Sequence, residues 1–125
     1  LETVRAAFPT LKLGRSCHDR LGLEAAAAGG ASWATLAPVA TPLTHKERPS
    51  RAPHGVERLA ILLQDLPMPV FALGGITASN VGSVAAAGAS GVACIGSVAA
   101  AADPGAAAAS LVRAFDPRPA EGRSS

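Results

Sequence analysis

The stretch PVFALGGITASN, residues 69–80, decides how the rest of the chain is interpreted. It begins with a short apolar run, continues with Gly74 and Gly75, and ends in a Thr, Ser and Asn cluster that opens an alanine-rich segment. This pattern predicts a buried strand, a tight turn and the N-terminus of a helix. Glycines let an anion approach the backbone and a helix start offers unpaired N–H donors, so the turn suits a phosphate group. A Gly-Gly pair after a strand is equally consistent with a plain structural turn.

Length and composition limit the class of protein. The chain has 125 residues, of which 49% are hydrophobic and 16% charged, and these values predict one packed domain. Its length is about half of the roughly 250 residues of a complete eight-stranded α/β barrel. The net charge is +2, the basic residues are scattered and aromatic residues are few, which argues against a nucleic-acid partner. No run approaches the ~18 strongly apolar residues of a membrane helix, so we expect no membrane association.

The cysteines and carboxylates do not predict a metal site. Cys17 and Cys94 lie in or beside apolar segments, without the spacing of metal ligands. We expect two buried, reduced thiols in a cytoplasmic protein, since no targeting segment is visible. Asp19 is the only carboxylate near a predicted strand end, and it serves equally well as a helix cap. We therefore expect no metal ligands in this chain.

Short apolar segments alternate with helical patterns along the chain. The predicted strands are residues 11–14, 33–37, 69–73 and 91–95, and the predicted helices are residues 1–8, 20–28, 56–63, 79–87 and 103–115. Parallel neighbours need a crossover connection, so this alternation predicts a parallel α/β sheet. We expect one domain over residues 1–115 and a flexible tail over residues 116–125.

Polar residues and glycines collect at the predicted carboxyl ends of the strands, where parallel α/β folds place their chemistry. They are Ser16 and His18 after the first strand, Thr41, Thr44 and Lys46 after the second, Gly74 and Gly75 after the third, and Gly96 and Ser97 after the fourth. Glycine turns after the last two strands match the phosphate site that barrels build after strands seven and eight. The alternative is that these glycines only permit tight turns.

The side chains at these ends suggest anion binding and acid–base chemistry. Lys46 offers a mobile positive charge for a second anion such as pyrophosphate, and Thr41 and Thr44 offer hydroxyl donors. His18 is a candidate acid or base. Alternatively, it donates a hydrogen bond to an anion together with Ser16. A loop lysine can equally be a solvated surface charge, and a histidine at a strand end can be structural.

Four motifs together resemble thiamine phosphate synthase and its TenI-like relatives over residues 4–115. They are GRSCH at 14–18, ATLAPV at 34–39 leading into TPLTHK at 41–46, ALGGI at 72–76 with Asn80, and GVACIGS at 91–97. The resemblance implies parallel (β/α) units that form half of a TIM-type (β/α)8 barrel, with four strands corresponding to the family's fifth to eighth. It also implies a transferase that joins hydroxymethylpyrimidine pyrophosphate to a thiazole phosphate, giving thiamine phosphate and pyrophosphate in thiamine biosynthesis. The family's reaction is dissociative, and the thiazole nitrogen captures a pyrimidine carbocation.

The resemblance also assigns roles to individual residues. Ser16 and Lys46 would hold the pyrophosphate. Together with His18, which its position after the first strand suggests, Lys46 is a catalytic candidate. Either Thr41 or Thr44 would contact the thiazole side, because the lysine loop is one residue longer than the usual Thr-x-Thr-Lys. The thiazole phosphate would be bound by backbone N–H groups of Gly75, Ile95 and Gly96, with Gly74 and Ser97 completing the substrate-binding residues.

The chain also departs from the family pattern. The family's pyrimidine-pyrophosphate motif and its two magnesium-binding aspartates belong to the first half of the barrel, and nothing here replaces them. Mg²⁺ is therefore expected from the family, with its ligands absent from this chain. Where TenI-type tautomerases have a histidine after the second of these strands, the chain has Pro38. The alternatives to a synthase are a TenI-like thiazole tautomerase and a non-catalytic protein that binds a phosphorylated ligand.

We expect the chain to be incomplete by itself. It begins at Leu1 and its only methionine is Met68, so we expect further residues upstream. Half a barrel exposes two parallel sheet edges that the closed fold would pair. We therefore expect a homo-oligomer, or pairing with a missing amino-terminal half, and phosphorylated small molecules as ligands.

Overall fold

The structure, a computed structural model, describes residues 1–40 and 52–116. Within them, four strands form one sheet: β1 (Gly14–Cys17), β2 (Trp33–Leu36), β3 (Val70–Leu73) and β4 (Gly91–Ala93). All neighbouring pairs are parallel and the order in the sheet is β1-β2-β3-β4, so each strand lies beside the next one in the chain. The predicted parallel α/β architecture is confirmed.

Six helices occupy the described residues: α1 (Glu2–Ala7), α2 (Arg20–Ala28), α3 (Val56–Leu62), α4 (Val81–Ala86), α5 (Gly96–Ala99) and α6 (Pro104–Ala114). Two of them begin at the aspartates that act as N-caps. The Asp19 carboxylate accepts a hydrogen bond from the Gly22 N–H at 2.7 Å, and the Asp103 carboxylate accepts one from the Ala106 N–H at 3.0 Å. After α2 the chain turns through Gly30, whose φ of +86° suits a residue without a Cβ. In the described ranges no helix has the length and apolar character needed to cross a bilayer.

The first strand begins later than the sequence predicts. Residues 11–14 were expected to form it, but pairing with β2 starts only at Gly14 opposite Trp33. The Leu13 carbonyl accepts from the N–H groups of Ser32 and Trp33, so the apolar residues before Gly14 only lead into the ladder. Ser16 therefore lies inside β1, and the prediction that it follows the first strand is wrong.

The turn expected at Gly96 and Ser97 is the start of α5. The Ile95 carbonyl accepts from the N–H groups of Val98 and Ala99, which closes one helical turn directly after the fourth strand. This strand, β4, also ends at Ala93 and not at Ile95. The strand ends early because the helical hydrogen bonds to the Ile95 carbonyl take residues 94 and 95 out of the strand ladder.

The helices cover one face of the sheet. Sheet residues and helix residues share one buried core, which includes Cys17, Ala34, Leu36, Val70 and Ala72 from the strands and Leu23, Leu59, Val84 and Leu111 from the helices. Strand side chains alternate between the two faces, so every second strand residue points into this core. The strands are held to the helices by apolar packing on this side alone.

The opposite face of the sheet, here called the open face, carries Gly14, Ser16, Trp33, Thr35, Phe71, Leu73, Gly91 and Ala93. The Trp33 and Phe71 rings meet edge to face, with centroids 5.8 Å apart, and Trp33 remains 38% exposed. A Cβ on Gly14 would lie 2.2 Å from the Trp33 ring, and one on Gly91 would lie 2.6 Å from the Phe71 ring. Each ring therefore extends over a glycine of an outer strand.

Arg5 ties α1 to the rest of the domain. Its guanidinium donates to the Gly30 carbonyl at 2.7 and 3.0 Å, to the Leu11 carbonyl at 2.8 Å and to the Pro9 carbonyl at 3.0 Å. No residue of α1 is buried, so these bonds replace apolar packing for this helix.

Replacing Arg5 with alanine should lower the free energy of unfolding by about 2–3 kcal/mol, because part-buried carbonyls lose a charged donor. Arg5→Lys should lose nearly as much, since one ammonium group cannot reach these carbonyls together. Urea unfolding measures both changes. Arg58→Ala, at an exposed position of α3, is the matched control and should change stability by less than about 0.5 kcal/mol. If Arg5→Ala were as stable as Arg58→Ala, the proposed contribution of Arg5 to stability would be contradicted.

Candidate functional site

The candidate site is the edge of the sheet at which all four strands end. Parallel strands run in one direction, so the segments that follow them lie at one edge, with neighbouring strands about 4.8 Å apart. These segments contain His18 after β1, Pro38 to Ala40 after β2, Gly74 and Gly75 after β3, and residues 94–96 after β4. The structure thus brings His18 and the two glycine-containing corners to one edge.

The corner after β3 accepts only glycine at its first position. Gly74 has a φ of +103° and Gly75 a φ of +63°. A Cβ on Gly74 would lie 2.9 Å from the Cα of Pro38. The segment after β2 packs closely here because the Val39 and Ala40 N–H groups donate to the carbonyls of Leu73 and Gly74, both at 3.0 Å. The corner is therefore held against the end of the neighbouring strand.

Asn80 holds the same corner from the other side. Its Nδ2 donates to the Gly75 carbonyl at 2.8 Å, and its Oδ1 accepts from the Thr77 N–H at 2.9 Å. The sequence places Asn80 in a helix-opening cluster and in the motif with ALGGI, without a role at the turn, and the structure shows no side-chain cap from it to α4. The signal that could have revealed this role is an amide side chain five residues after a Gly-Gly pair, within reach of both ends of the turn.

The corner after β4 lies directly beside the first one. Leu73 and Ala93 are register partners at the ends of β3 and β4, so Gly75 and Gly96 follow adjacent strands. Within residues 1–40 and 52–116, neither the Gly75 nor the Gly96 N–H donates to an acceptor. Ile95 is 68% exposed at this corner. Two unpaired backbone donors are therefore available on neighbouring corners, which is the arrangement an anion requires.

Ser97 follows Gly96 in the first turn of α5. Its Oγ is buried and has no partner among the residues that the structure describes. A buried hydroxyl without a partner is unfavourable, so a polar ligand atom within reach would stabilise it.

His18 is held in one tautomer by the end of β2. Its Nδ1 lies 2.9 Å from the Ala37 carbonyl oxygen, and a carbonyl can only accept. Nδ1 must therefore carry the proton, which leaves Nε2 of the neutral ring as an acceptor. Ser16 lies two residues earlier, exposed on the open face. His18 is half-buried, and its Nε2, which has no hydrogen-bond partner among residues 1–40 and 52–116, is available to a ligand.

The loop that contains Thr41, Thr44 and Lys46 lies outside the described residues. Its flanks do not: the His54 N–H donates to the Pro38 carbonyl at 3.0 Å, and the Gly55 N–H donates to the Val39 carbonyl at 2.9 Å. Both ends of the loop thus meet at the carboxyl edge of the sheet.

His54 is a site residue that the sequence analysis missed. Its Nε2 is buried and finds no partner in the described part of the chain. A histidine directly before the glycine that opens α3 was the available signal, because a loop that leaves and re-enters the same edge brings its last residues to that edge.

The thiols differ in burial. Cys17 and Cys94 are both free, as expected, but only Cys17 is buried, whereas Cys94 is half-buried because it lies beyond the last ladder residue of β4. Burial raises the pKa of the Cys17 thiol above its ordinary value; the Arg15 charge opposes this rise and the Asp19 charge adds to it.

This raised pKa predicts a loss of stability in alkali. The folded-state pKa lies above that of the unfolded chain, so the stabilisation is complete below pH ~8.5 and is lost as the pH rises through the folded-state pKa. The free energy of unfolding should fall there by at most about 1.4 kcal/mol per pH unit. Urea unfolding between pH 7 and pH 10 measures it. Cys94→Ala should keep the slope and Cys17→Ala should lose it; an unchanged slope in Cys17→Ala would contradict the assignment.

The described residues do not form a magnesium site. They contain no group of three or more His, Cys, Asp or Glu side chains that could hold a metal ion. The Asp19 carboxylate is occupied as the N-cap of α2.

Comparison with known proteins gives the same picture over most of the chain. The family model described as thiamine monophosphate synthase matches residues 1–98. A thiamine-phosphate synthase of Myxococcus xanthus is 39% identical over 89 residues, which are 70% of this chain and 40% of that protein. One from Methanoculleus marisnigri is 37% identical over 122 residues, which are 98% of this chain and 57% of that protein.

A solved structure extends the likeness to three dimensions. The thiamine phosphate pyrophosphorylase from Pyrococcus furiosus superimposes with a TM-score of 0.76 at 26% identity, over 91% of this chain and 53% of that one. The chain therefore spans about half the length of the relatives it matches. Four parallel (β/α) units in this order correspond to half of a TIM-type barrel. By its sequence and by its fold, this chain belongs to the thiamine monophosphate synthase family.

Proposed function

We propose that the chain supplies the thiazole-phosphate half of a thiamine phosphate synthase site. The reaction joins hydroxymethylpyrimidine pyrophosphate to the thiazole phosphate and yields thiamine phosphate and pyrophosphate. The observation that carries the proposal is the pair of unpaired N–H groups on Gly75 and Gly96, which follow adjacent strands at one edge. Family membership supports the same chemistry.

The thiazole phosphate binds across the two corners. The N–H groups of Gly75, Ile95 and Gly96 donate to its oxygens, Gly74 allows the close approach of β2, and the Ser97 hydroxyl adds a donor. Donors on a rigid backbone need no reorganisation when the anion arrives, which favours tight binding. Anchoring the phosphate at these corners holds the attached thiazole ring at the carboxyl edge.

The pyrophosphate of the second substrate binds toward β1 and β2. Ser16 and Lys46 hold it, and Thr41 or Thr44 contacts the thiazole side. In the reaction, the bond between the pyrimidine methylene carbon and the pyrophosphate oxygen breaks and its electron pair leaves with the pyrophosphate. The thiazole nitrogen then donates its lone pair to that carbon. His18, whose Nε2 is free, serves as acid or base near the departing group.

Mg²⁺ is expected from the family, and we propose that its ligands come from outside the described residues of this chain. No step proposed here depends on it.

The open face and the outer sides of β1 and β4 favour a partner. Within residues 1–40 and 52–116 these outer strands have no further strand beside them, and such edges, like the exposed Trp33 ring, are unfavourable in water. We propose that this surface is closed by a second copy of the chain or by an amino-terminal half-barrel, in the cytoplasm. Light scattering of the purified chain, alone and with an added amino-terminal half-barrel, distinguishes a dimer of the chain from a complex with that half-barrel. A chain that stays monomeric in both samples would contradict both arrangements.

Calorimetric titration tests the proposed function. The chain should bind thiazole phosphate, and thiamine phosphate should form when hydroxymethylpyrimidine pyrophosphate, Mg²⁺ and the closing partner are present. Isomerisation of the thiazole phosphate without synthesis would indicate a tautomerase, and binding without either reaction would indicate a ligand-binding protein. Absence of thiazole phosphate binding would contradict the proposal.

Lys46 should contribute to pyrophosphate binding. Lys46→Ala should weaken it by about 1.5–3 kcal/mol if the charged hydrogen bonds are fully formed, and should leave thiazole phosphate binding unchanged. Titration with both ligands measures this. Lys12→Ala, an exposed lysine that precedes β1 at the opposite edge, is the control for a loss of net charge. Equal affinities in the two variants would make Lys46 a surface charge.

A further inference from the structure

We propose that Asn80 is a positioning residue that turns the Ile76 N–H toward the bound phosphate, which makes Ile76 a further backbone donor. This inference rests on the proposed function, because it concerns the same corner after β3.

The direction of each N–H at this corner follows from the planarity of the peptide bond. In a trans peptide the C=O and the following N–H point in opposite directions. The Gly74 carbonyl accepts from the Ala40 N–H, so the Gly75 N–H points away from β2. The Gly75 carbonyl accepts from Asn80 Nδ2 at 2.8 Å, so the Ile76 N–H points away from Asn80. Both peptides are trans, since the described residues contain a cis bond only before Pro38.

Neither of these two N–H groups is used inside the protein. In the described ranges the Gly75 and Ile76 N–H groups donate to no acceptor. Successive backbone N–H groups in a turn form an anion-binding concavity. The carbonyls are fixed from two sides, so the pair of donors keeps its direction without a ligand.

Asparagine suits this position because one side chain must donate and accept at once. Its Nδ2 donates to Gly75 while its Oδ1 accepts from the Thr77 N–H at 2.9 Å. If the amide were turned round, its NH₂ group would face the Thr77 N–H and its oxygen would face the Gly75 carbonyl. These two partners therefore determine the orientation of the amide. The Ile76 side chain is 2% exposed in the core, which anchors the other end of the same peptide. Asn80 therefore decides the direction of the Ile76 N–H.

The experiment compares Asn80→Ser with Asn80→Asp in the full chain, using thiazole phosphate and inorganic pyrophosphate as probes. Serine keeps an oxygen near Thr77 but cannot also reach Gly75, and aspartate lacks the donor to Gly75. Each should bind thiazole phosphate about tenfold more weakly, the loss expected when one oriented donor to a charged group is disturbed. Pyrophosphate affinity should stay within about twofold of wild type for Asn80→Ser. Ser79→Ala removes a neighbouring exposed hydroxyl that lies 2.8 Å from the Thr77 hydroxyl, and it is the matched control.

Amide NMR of the wild-type chain gives a readout that a structural role alone would not move. On addition of thiazole phosphate, the Ile76 and Gly75 amide signals should shift together, and in Asn80→Ser the Ile76 shift should be lost while the Gly75 shift persists. Even if both variants fail to fold, the wild-type spectrum tests whether Ile76 is a donor, and an absent Ile76 shift would overturn the proposal. A Gly75 shift without an Ile76 shift, or unchanged affinity in Asn80→Ser, would overturn the role of Asn80 and leave the proposed function intact. Wild-type chain that binds no thiazole phosphate would overturn both.

Discussion

Gly74→Ala should lower the free energy of unfolding by about 2–5 kcal/mol, the largest stability effect that we expect from a single methyl group in this chain. Two causes add. The φ of +103° is rarely adopted by residues with a Cβ, and the new Cβ would lie 2.9 Å from the backbone Cα of Pro38, which cannot move aside as a flexible side chain would. Urea or thermal unfolding measures the loss.

Gly55→Ala separates the two causes. Gly55 has a φ of +78°, but a Cβ there meets no atom of residues 1–40 or 52–116 within 4 Å, so this variant reports mainly the conformational cost. We expect about 1–2 kcal/mol for Gly55→Ala. The difference between the two variants measures the packing of the corner against the end of β2. Equal losses would mean that Pro38 and Gly74 are not in close contact.

Gly75→Val should reduce thiazole phosphate affinity by more than about a hundredfold, because a branched side chain occupies the space in which the anion approaches the two corners. It should also lower stability, since a β-branched residue is strained at a φ of +63°. Calorimetric titration with thiazole phosphate measures the affinity, and urea unfolding measures the strain.

Gly88→Val provides the matched control for this strain. Gly88 has a φ of +109° at the C-terminal end of α4, and among the described residues a Cβ there would meet only Leu63, at 4.0 Å. This variant should be destabilised yet bind thiazole phosphate normally. If Gly75→Val still binds the ligand while remaining folded, the backbone donors of the corner do not form the phosphate site.

Much of the fold could be predicted because local signals and tertiary packing agree. The helices predicted over residues 20–28 and 103–115 are confirmed as α2 and α6, because Asp103 with Pro104 at the start of α6 and Gly30 after α2 each favour the required backbone conformation directly. The parallel sheet followed from apolar runs that alternate with helical patterns. Two predicted boundaries are wrong. Strand pairing starts β1 only at Gly14, and helical hydrogen bonds make Gly96 the first residue of α5, although the composition of both segments suggested otherwise.

The candidate site was predicted less completely than the fold. His18 and the two glycine corners were identified from their position after strands. Asn80 and His54 were not, because what they do depends on hydrogen bonds to residues that only the turn and the returning loop bring close. The roles given to Ser16, Lys46 and the threonines stay predictions.

The sequence by itself determined the parallel α/β class, the four repeating units and the family, since apolar periodicity, caps and motif spacing are properties of neighbouring residues. Tertiary structure alone decided that Gly75 and Gly96 follow adjacent strands, that the Ala37 carbonyl sets the His18 tautomer, and that the described helices pack on one face of the sheet. Those features arise from strand register, which joins residues far apart in the chain through hydrogen bonds that no local pattern encodes.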